Sequence, residues 1–214
     1  MQKRESKYVI VARIAYRLCQ RVVAPYSHLK SPHRFTQPQL LACVLLMFYV
    51  RKSYRDMEEW LLASDAVVKE LELKEIPDHS TLNRTFKRLR VKLLEQLQRT
   101  LLDELQPREL GIVFDTTGFS PTQASMHYLA RCGRKYDHFY KGGYAVGVES
   151  QLILASMSGQ GPGADTGFLE PLRRKARRYG LRGKWMVLAD SGFDAITVCP
   201  FDPTHPAWRR HETP

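Results

Sequence analysis

Through the first hundred residues the apolar positions recur every three or four places. Beyond Pro107 they alternate or gather into short runs. The first period belongs to amphipathic helices and the second to strands. Lys3 to Ala24 carries Val9, Ile10, Ile14, Leu18 and Val22 at helical spacing and stops at Pro25. Thr36-Gln-Pro-Gln39 has the form of a capping box with proline in the first turn, opening a helix to about Lys52. Ser53 is placed to cap Tyr54–Leu62, with acids in the first turns where the macrodipole favours them. From Pro77-Asp78-His79-Ser80 the pattern predicts one long helix. Leu82, Phe86, Leu89, Leu93, Leu97 and Leu101 form its apolar stripe, and Arg84, Lys87, Arg88 and Lys92 fall elsewhere on the cylinder.

The second half predicts a strand at 111–114 and a hairpin over 143–158 turning near Glu149 to Gln151. A helix follows from about Gly167 to Tyr179, with Phe168, Leu169, Leu172 and Ala176 on one side, and then a strand from Lys184 to Ala189. The last fifteen residues, with Pro200, Pro203, Pro206 and Pro214, suggest no element. The expected class is α+β or α/β: a helical domain over 1–106, then a strand, strand, strand, helix, strand domain over 107–214.

Two aspartates stand out in this pattern. Asp115 closes Gly111-Ile-Val-Phe, and Asp190, 75 positions later, closes Trp185-Met-Val-Leu-Ala. A carboxylate at the end of a buried strand calls for a partner or a metal ion, although aspartate also caps turns after strands. Were 111–114 and 185–189 adjacent parallel strands, the two carboxylates would stand roughly 4 to 7 Å apart, within reach of one Mg²⁺ or Mn²⁺. That element order, opened by an Asp-bearing strand, is the start of a ribonuclease H-like α/β fold. Asp165, like Thr166, reads as an N-cap, and Asp194 as helix-start chemistry.

Charge adds a partner. The 33 Lys and Arg outnumber the 22 Asp and Glu, giving a net charge of +11 and a surface that attracts polyanions. Asn83, Arg84, Lys87 and Arg88 are candidates for contact with duplex DNA from a recognition helix. Arg131, Arg134, Lys135 and Lys141, interleaved with Tyr128, Tyr136, His138 and Tyr140, could grip phosphates and stack on unpaired bases, or face water as a solvated loop. Arg173, Arg174, Arg177 and Arg178 read as a solvated helix face. No export signal is evident, and the longest apolar run, Leu40 to Val50, is too short to span a bilayer. Cys19, Cys43, Cys132 and Cys199 form no CxxC pair and read as reduced cytosolic thiols.

Five stretches in order resemble the DDE transposases of bacterial and archaeal insertion sequences. They are Ser53-Tyr-Arg-Asp-Met-Glu-Glu-Trp60, Pro77-Asp-His-Ser-Thr-Leu-Asn-Arg-Thr-Phe-Lys-Arg-Leu89, Asp115-Thr-Thr-Gly-Phe119, Gly161-Pro-Gly-Ala-Asp-Thr-Gly-Phe-Leu-Glu-Pro-Leu172 and Asp190-Ser-Gly-Phe193. The resemblance implies a ribonuclease H-like catalytic domain after a helical DNA-binding domain. Its implied chemistry is two-metal strand cleavage and transfer, with Asp115 bridging both Mg²⁺ ions and Asp190 holding one. The implied partners are insertion-sequence ends and target DNA, with homo-oligomers possible, in a prokaryotic cytoplasm near the nucleoid and without a membrane. The family's third carboxylate, a glutamate in an RxxxE helix, has no counterpart in the 24 residues after Asp190. Asp194, Asp202 and Glu212 are the late acids, and Arg209 and Glu212 are three apart instead of four. The expectation is therefore a transposase truncated before its catalytic glutamate, slow at cleaving or joining DNA. The alternative is a non-catalytic, DNA-binding remnant acting as a regulator. A host ribonuclease H-like nuclease fits the helical leader less well.

Overall fold

A computed structural model describes residues 5–28, 30, 33–119, 140–160, 165–177 and 186–189. The chain divides into two compact units, Met1–Glu104 and Leu105–Pro214, two residues before the junction read from the sequence. Its class is mixed α+β, with seven helices and one four-stranded mixed sheet among the described residues.

The first unit contains α1 (Lys7–Val22), α2 (Gln37–Val50), α3 (Tyr54–Leu62), α4 (Asp65–Glu70), α5 (His79–Lys87) and α6 (Val91–Leu105). Side-chain caps start four of them. Ser6 accepts from the Tyr8 amide, Thr36 from Gln39, Ser53 from Asp56, and Asp78 from Ser80 and Thr81. The Thr36–Gln39 pair is a complete capping box, with Gln39 Oε1 accepting from the Thr36 amide at 2.9 Å. Gln39 is buried, and its Nε2 donates to the carbonyls of Leu71 (3.2 Å) and Glu72 (2.7 Å), so one side chain caps α2 and ties it to the end of α4. The core gathers Ala12, Leu18, Leu41, Val44, Leu46, Met57, Leu61 and Leu82 from four helices, with Leu71 from the end of α4.

The single helix expected from Pro77 to Leu101 is two helices, broken at Arg88-Leu89-Arg90. At the break the Arg88 and Leu89 amides donate to the carbonyls of Thr85 and Phe86, three residues back instead of four. Five steps carry the stripe across 19 residues from Leu82 to Leu101. On a straight helix of 3.6 residues per turn, that run rotates by about 100°. Breaking the helix lets Leu82 in α5 and Leu97 in α6 both reach the core.

The Asp78 cap carries a pH signature. Hydrogen bonds from the Ser80 hydroxyl, then the Thr81 amide and hydroxyl, hold its carboxyl well below the usual carboxylate range. A depressed folded-state pKa contributes stability above the unfolded value of about 3.9 and loses it as pH falls. Asp78→Ala should cost about 1 kcal/mol at neutral pH. The difference should shrink toward pH 2, as followed by circular dichroism melts of wild type and variant.

Burial also silences two thiols. Cys19 and Cys43 are free, and desolvation pushes each up to about 12. Maleimide labelling with peptide mass spectrometry should find both unmodified at pH 7 until denaturant is added.

The second unit holds β1 (Gly111–Phe119), β2 (Tyr140–Gly147), β3 (Ile153–Gln160), α7 (Thr166–Ala176) and β4 (Met186–Ala189), in sheet order β3-β2-β1-β4. β1 pairs antiparallel with β2 from Ile112↔Gly147 to Phe119↔Tyr140, and parallel with β4 from Gly111↔Met186 to Phe114↔Ala189. The expected hairpin and the adjacent parallel pair are therefore present. β1 alternates: Ile112 and Phe114 point into the core beneath α7, whose Phe168, Leu169, Leu172 and Ala176 are buried. Ala145, Leu154 and Ala155 complete that core. No helix of the described residues is long and apolar enough to cross a membrane.

Candidate metal centre

Asp115 does not end its strand. β1 continues four residues to Phe119, with Asp115 opposite Tyr144 of β2. The side chain is exposed, not at a buried strand end as expected, so desolvation does not by itself demand a partner. The case rests on neighbouring strands instead. Since successive strand residues face opposite ways, Asp115 shares a face with Val113 and Thr117, away from α7. Its Oδ1 accepts from the Thr116 amide at 2.7 Å, leaving Oδ2 with no recorded partner among the described residues.

The parallel register with β4 runs as far as Phe114↔Ala189. In sequence the next residue of each strand is an aspartate, Asp115 and Asp190. Asp190 itself lies outside the described residues, as do Asp194, Arg131, Arg134, Lys135, Tyr128, Tyr136 and His138. No group of three His, Cys, Asp or Glu side chains suited to a metal ion occurs among the described residues. The donor chemistry that is described fits a hard divalent cation: an exposed carboxylate with an open oxygen, on a strand fixed from both sides up to the preceding residue.

Asp165 departs from its expected role. It precedes α7 but makes no side-chain cap, and its backbone is helical instead of extended. Its Oδ1 accepts from Thr116 Oγ1 at 2.7 Å and pairs with the Lys141 ammonium. These side chains are only 21% and 14% exposed. Lys141, followed by the Thr116 hydroxyl, holds the Asp165 carboxyl below its ordinary range. Lys141 is thus engaged with a carboxylate on the α7 side of the sheet. Strand parity could have revealed this: Lys141, Gly143, Ala145 and Gly147 share one face, and the last three are buried.

Asn83, Arg84, Lys87 and Arg88 lie on or just after α5. Arg84, Lys87 and Arg88 are exposed, and none pairs with a described carboxylate. Arg84 is held along its own helix, Nε donating to the Ser80 carbonyl at 3.2 Å and Nη2 to Ser80 Oγ at 3.0 Å. Glu58 anchors the start of α5 by accepting from the His79 amide at 2.8 Å. No family model, curated protein or solved structure matches the chain.

Proposed function

We propose that the chain is a transposase of the DDE type, with a ribonuclease H-like catalytic domain and a helical DNA-binding domain. It would act on insertion-sequence ends and target DNA by metal-dependent strand cleavage and transfer. One observation carries the reading. β1 is an inner strand of a β3-β2-β1-β4 sheet, and its parallel register with β4 reaches the residue before Asp115 on one strand and the residue before Asp190 in sequence on the other. Five sequence stretches in family order support it, as does the net charge of +11.

In this reading Asp115 and Asp190 hold Mg²⁺ or Mn²⁺, which when bound supplies positive charge to the reacting phosphate and acidifies a coordinated water or hydroxyl. The Thr116 amide orients one Asp115 oxygen, and the other would be available to hold the ion. Arg84, Lys87 and Arg88 neutralise backbone phosphates and set the register of the duplex.

The test incubates the purified chain with Mn²⁺ and duplex DNA carrying candidate element ends. Nicking that disappears in both Asp115→Ala and Asp190→Ala supports the catalytic reading. Duplex binding without nicking favours the DNA-binding regulator. Nicking that survives Asp115→Ala contradicts the assignment of that residue.

A further inference from the structure

We infer that Asp165 is a positioning residue for Asp115, acting through Thr116 and Lys141 to fix how the Asp115 carboxylate faces a divalent cation. The inference rests on the metal reading of Asp115 and adds to it a residue on a different element.

The geometry is a relay of two hydrogen bonds. Thr116 donates its hydroxyl to Asp165 Oδ1 at 2.7 Å and its amide to Asp115 Oδ1 at 2.7 Å. One residue is therefore gripped by Asp165 through its side chain while gripping Asp115 through its backbone. Turning Thr116 about the β1 axis would carry its hydroxyl away from Asp165, and the Asp115 carboxylate bonded to its amide would turn with it.

The relay sits where the strand needs it. Through Phe114, β1 is paired on both sides, but from Asp115 to Phe119 the described pairing is with β2 alone. Thr116 pairs with Gly143 and Gly118 with Lys141, so Thr116 and Lys141 are diagonal neighbours on one face. The Asp165 carboxylate bridges them, joining β1, β2 and the start of α7.

Asp165 is itself held firmly. It directly precedes α7, whose Phe168 ring lies close over Gly143 and Gly159 and whose Leu172 is fully buried. Its ion pair with Lys141 is largely buried and so less screened than a surface pair. Asp165 is not a third ligand in this arrangement. Its carboxylate meets Thr116 on the α7 face, and Asp115 projects from the opposite face.

The experiment measures Mn²⁺ affinity of the full 214-residue chain at neutral pH, from the free-ion electron paramagnetic resonance signal. Wild type, Asp115→Asn, Asp165→Asn, Thr116→Val and Thr116→Ser are compared, with melting temperatures recorded alongside. Loss of a group that orients a metal ligand weakens metal binding by about tenfold or more. We expect about tenfold weaker binding in both Asp165→Asn and Thr116→Val, and near wild-type binding in Thr116→Ser, which keeps the hydroxyl. Thr116→Val retains the Asp165 charge, so its effect cannot come from lost electrostatic attraction, and it decides the matter if Asp165→Asn fails to fold. A purely structural role would lower the melting temperature and leave affinity unchanged well below it. Affinity within twofold of wild type in Thr116→Val overturns the inference. So does loss of binding in Asp165→Asn as complete as in Asp115→Asn with Thr116→Val unaffected, which would make Asp165 a ligand. Wild-type protein that binds no Mn²⁺ overturns the metal reading itself, and the inference with it.

Discussion

Raising salt from 50 to 200 mM should weaken duplex DNA binding by about a thousandfold. Counterion release gives a slope of log affinity against log salt of about −5 when six phosphates are neutralised. The charge to do so is present, with 20 Lys and Arg against 13 Asp and Glu over residues 1–110 and 13 against 9 over 111–214. Arg84, Lys87 and Arg88 are exposed and unpaired with any described carboxylate, whereas Arg13, Arg21 and Arg34 are occupied by Glu5 and Glu70, Glu104, and Glu75. Removing Lys87 or Arg88 should reduce the slope by about one each if they contact phosphate. Fluorescence anisotropy with a labelled duplex across the salt range measures both quantities. A flat salt dependence, or no binding at low salt, would exclude nucleic acid as the partner.

Gly143→Ala should destabilise the sheet-bearing unit by about 1–3 kcal/mol, the usual range for overpacking a tight interior. A methyl group there would stand 2.5 Å from Phe168 Cδ1 and 3.1 Å from Leu172 Cδ1, both belonging to the buried side of α7. Phe168 could yield only by lifting α7 off the sheet, because its ring tip is also seated over Gly159. Gly167→Ala is the control, since a methyl group there meets nothing within 4 Å. Urea unfolding should show a lower midpoint for Gly143→Ala and an equal or higher one for Gly167→Ala, which gains helix propensity. Equal midpoints for Gly143→Ala and wild type would mean that α7 does not pack on β2 as described.

Much of this architecture was legible because local chemistry and tertiary packing agree. Thr36 with Gln39, Ser53 and Asp78 are caps whose side chains bond within three residues, so sequence spacing determines them. Phe168, Leu169, Leu172 and Ala176 are read from periodicity for the same reason. The break after α5 was not legible. Each step of the leucine stripe is helical, so the periodicity runs through the break without marking it. Nor was the length of β1, since Asp115-Thr-Thr-Gly carries turn chemistry locally and is drawn into the sheet by β2. Asp165 shows the limit most clearly. Its position before a helix is that of an N-cap, yet a lysine 24 residues earlier and a threonine 49 residues earlier take its carboxylate. Strand parity puts Lys141 on the packed face, but periodicity does not name a partner at that separation.

Asp115 and Asp190 would together make the divalent-cation site. The most direct measurement is anomalous scattering at the manganese edge from crystals of the 214-residue chain grown with Mn²⁺. A peak is expected within about 2.2 Å of a carboxylate oxygen of both Asp115 and Asp190, on the sheet face away from α7. Carboxylates more than about 12 Å apart, a distance no single coordination shell spans, would contradict it.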